Sequence, residues 1–171
     1  MTRELIPELH DALKLTVGPH DPMERDLPRG LRESGAWQAI AKHHCSKHFE
    51  IYPDTPDSFL LCIADSLASS FSRPSLDAEE EDRGKQWHVH RLWNPVQQHF
   101  DPRLKNREEI NGLYDYLTTD PSWKEFSSRY CDILRRRSED AHPEKAVTSL
   151  ATHLRLTGKF YRLLKSIPDL Q

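Results

Sequence analysis

Apolar residues recur at three- and four-residue intervals along most of this chain, a pattern that predicts helices. Leu5, Ile6, Leu9 and Leu13 place a helix over residues 3 to 15, with Pro7 in its tolerated first turns. Residues 16 to 30 hold Gly18, Pro19, Pro22, Pro28 and Gly30 and read as a loop. A short helix from about Ser34 to His44 carries Ala36, Trp37, Ile40 and Ala41. The run FEIYPDTPD then reads as another loop. Asp57 is placed to cap residues 58 to 72, SFLLCIADSLASSFS, the most hydrophobic helix of the chain. Residues 73 to 86, with AEEED at their centre, read as a flexible acidic surface loop. Residues 87 to 100 fit neither period. Asn106 to Thr118 is a helix, and Pro121 opens another that runs to about Arg137. Pro143 opens the last helix and Pro168 closes it. No repeats and no alternating strands stand out, so the expected fold class is all-α.

Composition narrows this picture. The 171 residues suit a single domain over 1–171. Hydrophobic residues make up 36% and are spread along the whole length, which excludes a disordered chain. No apolar run approaches the ~20 residues that span a membrane. The N-terminal MTRELIPELHDALKL contains acidic residues and no clean apolar core, so no signal peptide is expected. Cys45, Cys62 and Cys131 are far apart and form no CxxC pair, so free buried thiols in a reducing cytoplasm are expected. The net charge of -3 excludes a chain that is basic throughout, so any contact with nucleic acid must be local. Histidine is abundant, ten in all, which directs attention to where each one falls.

Candidate chemistry lies where polar groups meet apolar stripes. In helix 58–72, Phe59, Ile63 and Leu67 line one face and Leu61, Asp65 and Ala68 a neighbouring one. Such a helix is expected to be central, with Asp65 either paired, capping another helix, or bound to metal. In the last helix Leu150, His153, Leu154, Thr157, Phe160, Tyr161 and Leu164 follow the helical period. His153 therefore falls on or beside the inward stripe, as a core histidine or as a ligand. His10 and Asp11 are adjacent, about 100° apart on a helix, and one metal against that helix can still take both. His43 and His44 end the short helix, as exposed cations at its negative pole or as further ligands. Nitrogen and oxygen donors without thiolate suit manganese, iron, nickel, cobalt or zinc, and magnesium where carboxylates dominate.

Four segments in order, LIPELHDALKL, AKHHCSKHF, CIADSLASSFSR and TSLATHLRLTGKF, resemble a family. HD-superfamily phosphohydrolases gather a histidine, a His-Asp doublet and a distant aspartate around one or two metals. In the common order the lone histidine comes first, but here no histidine precedes His10. The order is similar to the circularly permuted HD domain at the N-terminus of the large polymerase-like subunit of type III CRISPR effector complexes. There are departures: Ala12-Leu13-Lys14 replaces the usual Ile-Gly-Lys, Thr152 stands where an aspartate often precedes the final histidine, and no GGDD-like motif follows. The chain then reads as an excised domain, a stand-alone HD protein or a split subunit.

The resemblance implies a permuted HD-type bundle of about six to eight helices. The implied ligands of one or two divalent ions are His10, Asp11, Asp65 and His153, with His43 or His44 as an additional one. Asp11 and Lys14 would carry the catalysis, Lys14 or Arg73 contacting a phosphate. The implied reaction is phosphodiester hydrolysis of single-stranded DNA in the cytoplasm, with other effector subunits as partners and no membrane. Trp37, Trp87 or Trp93 would stack bases or sit in the core, and the Arg135-Arg136-Arg137 run would meet nucleic acid or form a solvated helix end. Two other readings use the same residues: an HD phosphohydrolase acting on nucleotides or cyclic nucleotides, and a non-catalytic module that docks partner subunits.

Overall fold

A computed structural model describes residues 5–16, 28–34, 37, 40–41, 52–72, 103–119, 121–137 and 148–168. Among these the chain is mostly helical and contains no strand. Two 3-10 turns, Pro7–Leu9 and Ala12–Leu15, come first. The α-helices follow as α1 (Arg29–Arg32), α2 (Pro56–Ser72), α3 (Arg107–Thr118), α4 (Trp123–Arg129), α5 (Cys131–Arg136) and α6 (Leu150–Lys165). No described helix is long and apolar enough to cross a membrane. The earlier His43, His44, Cys45, Arg73, Trp87, Trp93 and Pro143 assignments, and the acidic 73–86 loop, lie outside the described residues.

The N-terminal segment departs from the expected helix over residues 3 to 15. Asp11, at φ -110° and ψ 21°, separates the two tight turns. The reason is burial on every side: each residue from Pro7 to Leu13 is buried, whereas a continuous α-helix buries one stripe. Breaking the helix at Asp11 lets adjacent side chains both face inward.

Helix α6 explains most of the remaining architecture. Its buried residues are Leu150, His153, Leu154, Thr157, Gly158 and Tyr161, a single stripe at helical spacing. The first part of the stripe joins a core of Leu9, Leu13, Leu31, Leu113, Phe126 and Leu134. Its far end meets a second cluster, in which Tyr161 packs with Leu60, Leu61 and Ala64 of α2. The Tyr161 hydroxyl also donates to Asp57 Oδ1 at 2.8 Å, and Lys165 Nζ lies 3.2 Å from the same oxygen. Helices α2 and α6 therefore pair along their lengths, with the Pro7–Leu9 turn against α6.

Several element boundaries shift for identifiable reasons. Asp57 does not cap α2, because it is inside the helix and committed to Tyr161 and Lys165. Thr55 takes the capping role, its hydroxyl accepting from the Ser58 N–H at 3.1 Å. The helix expected from Pro121 to Arg137 is two helices capped by Ser122 and broken at Tyr130. The last helix starts at Leu150, where the Ser149 hydroxyl accepts from the Thr152 N–H. Gly30, expected in a loop, is helical in α1. Helix α2 is not buried all round: Phe59 and Phe71 are exposed, and the Leu61, Ala64 and Ala68 side faces inward. Arg137 is buried rather than part of a solvated helix end. Its carbonyl accepts from the Leu150 N–H at 2.8 Å, which draws the chain inward at the start of α6. Trp37 is half-buried against the main core. Cys62 and Cys131 form no disulfide among the described residues and are half-buried rather than fully buried.

Candidate metal centre

Three separate parts of the sequence converge on one point. The break between the two N-terminal turns contributes His10 and Asp11, the middle of α2 contributes Asp65, and the first turn of α6 contributes His153. One ligand atom from each of the four residues lies within 4.8 Å of all the others. His10 Nε2 is 3.3 Å from His153 Nε2, 3.3 Å from Asp11 Oδ2 and 3.5 Å from Asp65 Oδ1. His153 Nε2 is 3.4 Å from Asp11 Oδ2 and 3.1 Å from Asp65 Oδ1. The structure thus brings together His10, Asp11, Asp65 and His153; the alternatives for an additional ligand, His43 and His44, lie outside the described residues.

The orientation of His10 is set by its surroundings. Its Nδ1 lies 2.8 Å from the Pro7 carbonyl oxygen, an acceptor only, so Nδ1 carries the proton and donates. In the neutral ring the Nε2 lone pair then points at the cluster. A backbone carbonyl behind a histidine is the usual way a metal-ligating ring is fixed. His10, Asp11 and His153 are almost fully buried, while the Asp65 side chain keeps 19% exposure and that of Lys14 22%. The cluster therefore opens to solvent on the Asp65 and Lys14 side.

The donor set fits a divalent ion. Four donors about 2.0–2.1 Å from a tetrahedral centre stand roughly 3.3–3.4 Å apart, which the five contacts of 3.1–3.5 Å straddle. Two imidazole nitrogens and two carboxylate oxygens can hold such an ion without thiolate.

Without a metal, protons hold the charges in balance. Burial disfavours the His10 imidazolium, but Asp11 and Asp65 outweigh it and raise its pKa to about 9. Burial also works against the Asp11 carboxylate, yet Lys14 and His10 hold it well below the usual range. Asp65 is likewise held low against its burial by hydrogen bonds from His10 and His153. Lys14 Nζ, expected to reach a phosphate, lies 2.6 Å from Asp11 Oδ2 at the open edge and neutralises that carboxylate.

The sequence reading missed the support behind the site. Glu8 is buried against Gly158 of α6 and paired with Arg162. A Cβ at Gly158 would stand 2.7 Å from Glu8 Cγ and closer still to the end of the side chain. The available signal was a glycine in the interior of an otherwise strong helix, where it costs about 1 kcal/mol without a packing reason.

Compared with known proteins, the chain matches no family model, no curated protein and no solved structure.

Proposed function

We propose that this chain is a metal-dependent phosphodiester hydrolase of HD type, its helices in permuted order, and that it cuts single-stranded DNA within a type III CRISPR effector. The observation that carries the reading is the convergence of His10, Asp11, Asp65 and His153 on one half-open point. A divalent metal held there supplies the Lewis acidity that phosphodiester hydrolysis requires. Manganese, nickel, cobalt, iron, zinc and magnesium are all compatible with the donor set, in one or two ions.

The protein's own groups do the positioning. The Pro7 carbonyl fixes the His10 ring, and α2 and α6 hold Asp65 and His153 across from it. His153 lies in the first turn of α6, where the helix adds partial positive charge next to an incoming phosphate. Lys14 stands at the open edge, where exchange from Asp11 to a phosphate oxygen needs a side-chain rotation only. Leu9, Leu13, Leu150 and Leu154, close in sequence to the ligands, are buried in the main core.

The test is manganese- or nickel-dependent cleavage of single-stranded DNA by wild type and by the His10→Ala/Asp11→Ala variant. The expected result is cleavage by wild type that chelator abolishes and the variant lacks. Equal cleavage by the variant contradicts the reading.

A further inference from the structure

A second polar feature adjoins the same turn of α6. A half-open groove of about 310 Å³ runs between the α4–α5 arm and the start of α6. Trp123, Ser127 and Arg135 line one wall, and Ser149, Thr152 and Arg155 the other. Trp123 and Ser127 are four residues apart on one face of α4, with Arg135 following on α5, and Thr152 and Arg155 are three apart on one face of α6. Thr152 directly precedes His153, and Arg155 follows two residues later. Consecutive residues on a helix point about 100° apart, so one turn of α6 presents His153 to the metal cluster and Thr152 and Arg155 to the groove.

The groove brings two uncommitted guanidinium groups together. Arg29 is committed to Glu33, Arg136 to Asp132 and Arg162 to Glu8, while the exposed Arg107 lies outside the groove lining. Arg135 and Arg155 are exposed and make no ion pair or hydrogen bond among the described residues. Two uncommitted cations on facing walls repel each other and favour an anion between them. The Ser127 hydroxyl donates to the Lys124 carbonyl oxygen and Thr152 Oγ1 lies 3.2 Å from Ser149 Oγ, so the arginines are the donors the groove has to offer. Trp123 is half-buried with its ring against Phe126, a rigid aromatic edge at one end of the groove.

We propose that this groove is the substrate-strand subsite of the metal centre. Arg135 and Arg155 take a phosphate of single-stranded nucleic acid, and Trp123 takes a base by stacking. The assignment rests on the phosphodiesterase reading for its choice of ligand. A phosphate seated between the arginines lies within about one helical turn of His153 along α6 but on another face of the helix, so a strand must pass round the start of α6 to meet both sites. Charge on phosphate gives affinity without sequence preference, and stacking adds to it for any base.

The test is fluorescence anisotropy with a labelled oligothymidylate in chelator, which silences the metal centre. Arg135→Ala/Arg155→Ala should weaken binding about tenfold or more and flatten the slope of log K against log salt by about 0.7, as the loss of one neutralised phosphate requires. Arg135→Lys/Arg155→Lys should restore the slope, and Trp123→Ala should weaken binding about tenfold with the slope unchanged. Arg29→Ala/Arg32→Ala, the same charge change outside the groove lining, should bind as wild type does. Failure of wild type to bind, or equal losses from the two arginine pairs, overturns the groove assignment. Hydrolysis of bis(4-nitrophenyl) phosphate with manganese tests the metal centre separately, because so small an ester does not need the groove. Turnover there with no groove-dependent binding removes the subsite and leaves the phosphodiesterase; groove-dependent binding without turnover does the reverse.

Discussion

Gly158→Ala is the most informative single substitution. Removing a helical glycine normally stabilises by about 0.8–1.0 kcal/mol. At Gly158 the new methyl would sit 2.7 Å from Glu8 Cγ, and nearer to the carboxylate beyond it. The whole Glu8 side chain must therefore leave, not merely its tip, and it must give up its buried place and its Arg162 partner. Overpacking of this kind costs about 1–3 kcal/mol, and subtracting the helix gain leaves a net loss centred on about 1 kcal/mol. In a chain of 171 residues that lowers Tm by about 2–4 °C. Glu8 belongs to the turn that presents His10, so metal affinity should fall as well. Gly112→Ala in α3 is the control: nothing lies within 4 Å of its Cβ, and it should raise Tm by about 2–4 °C. Thermal melts by circular dichroism, with and without manganese, measure both. A Gly158→Ala protein that melts at or above wild type and binds metal undiminished would refute the reasoning.

The remaining predictions concern charge and pairing. In chelator, His10 contributes stability that is fully present below its unfolded pKa near 6.5 and is lost as pH rises through about 9, so Tm should fall across that window. The proton competes with metal for the same nitrogen, so calorimetric metal affinity should rise over the same window and then level off; a flat profile contradicts the shared site. Tyr161→Phe removes the hydroxyl that joins α6 to Asp57 of α2 and should cost about 1 kcal/mol in a urea melt, with DNA cleavage intact. Leu154→Ala, at a fully buried core position one residue after His153, should cost about 2–5 kcal/mol by the same melt.

Parts of this fold are written in periodicity. The α6 stripe from Leu150 to Tyr161 and the α2 stretch around Asp65 follow from spacing, and both place their polar residue among apolar neighbours. What periodicity does not encode is which side of an all-round apolar helix finds a partner. On α2 the Leu61 and Ala64 side packs because α6 lies there, and Phe59 stays exposed. Nor does it reveal that the helix expected around His10 is broken at Asp11. That break depends on burial from all sides, a tertiary fact. The four-residue cluster was legible residue by residue, but its dependence on Glu8 and Gly158 was not. A carboxylate near the N-terminus and a glycine far along the chain carry no pattern that links them. Helix ends are the least legible: Thr55, Ser122 and Ser149 cap α2, α4 and α6, where the sequence pattern points to Asp57, Pro121 and Pro143.

The central claim is that His10, Asp11, Asp65 and His153 hold a metal together. Mass-spectrometric metal content after stripping and reconstitution with manganese or zinc tests it most directly. The account predicts at least one tightly held ion per wild-type chain, lost in His153→Ala and in Asp65→Asn while circular dichroism stays helical. A wild-type chain that retains no transition metal, or variants that retain as much as wild type, would contradict it.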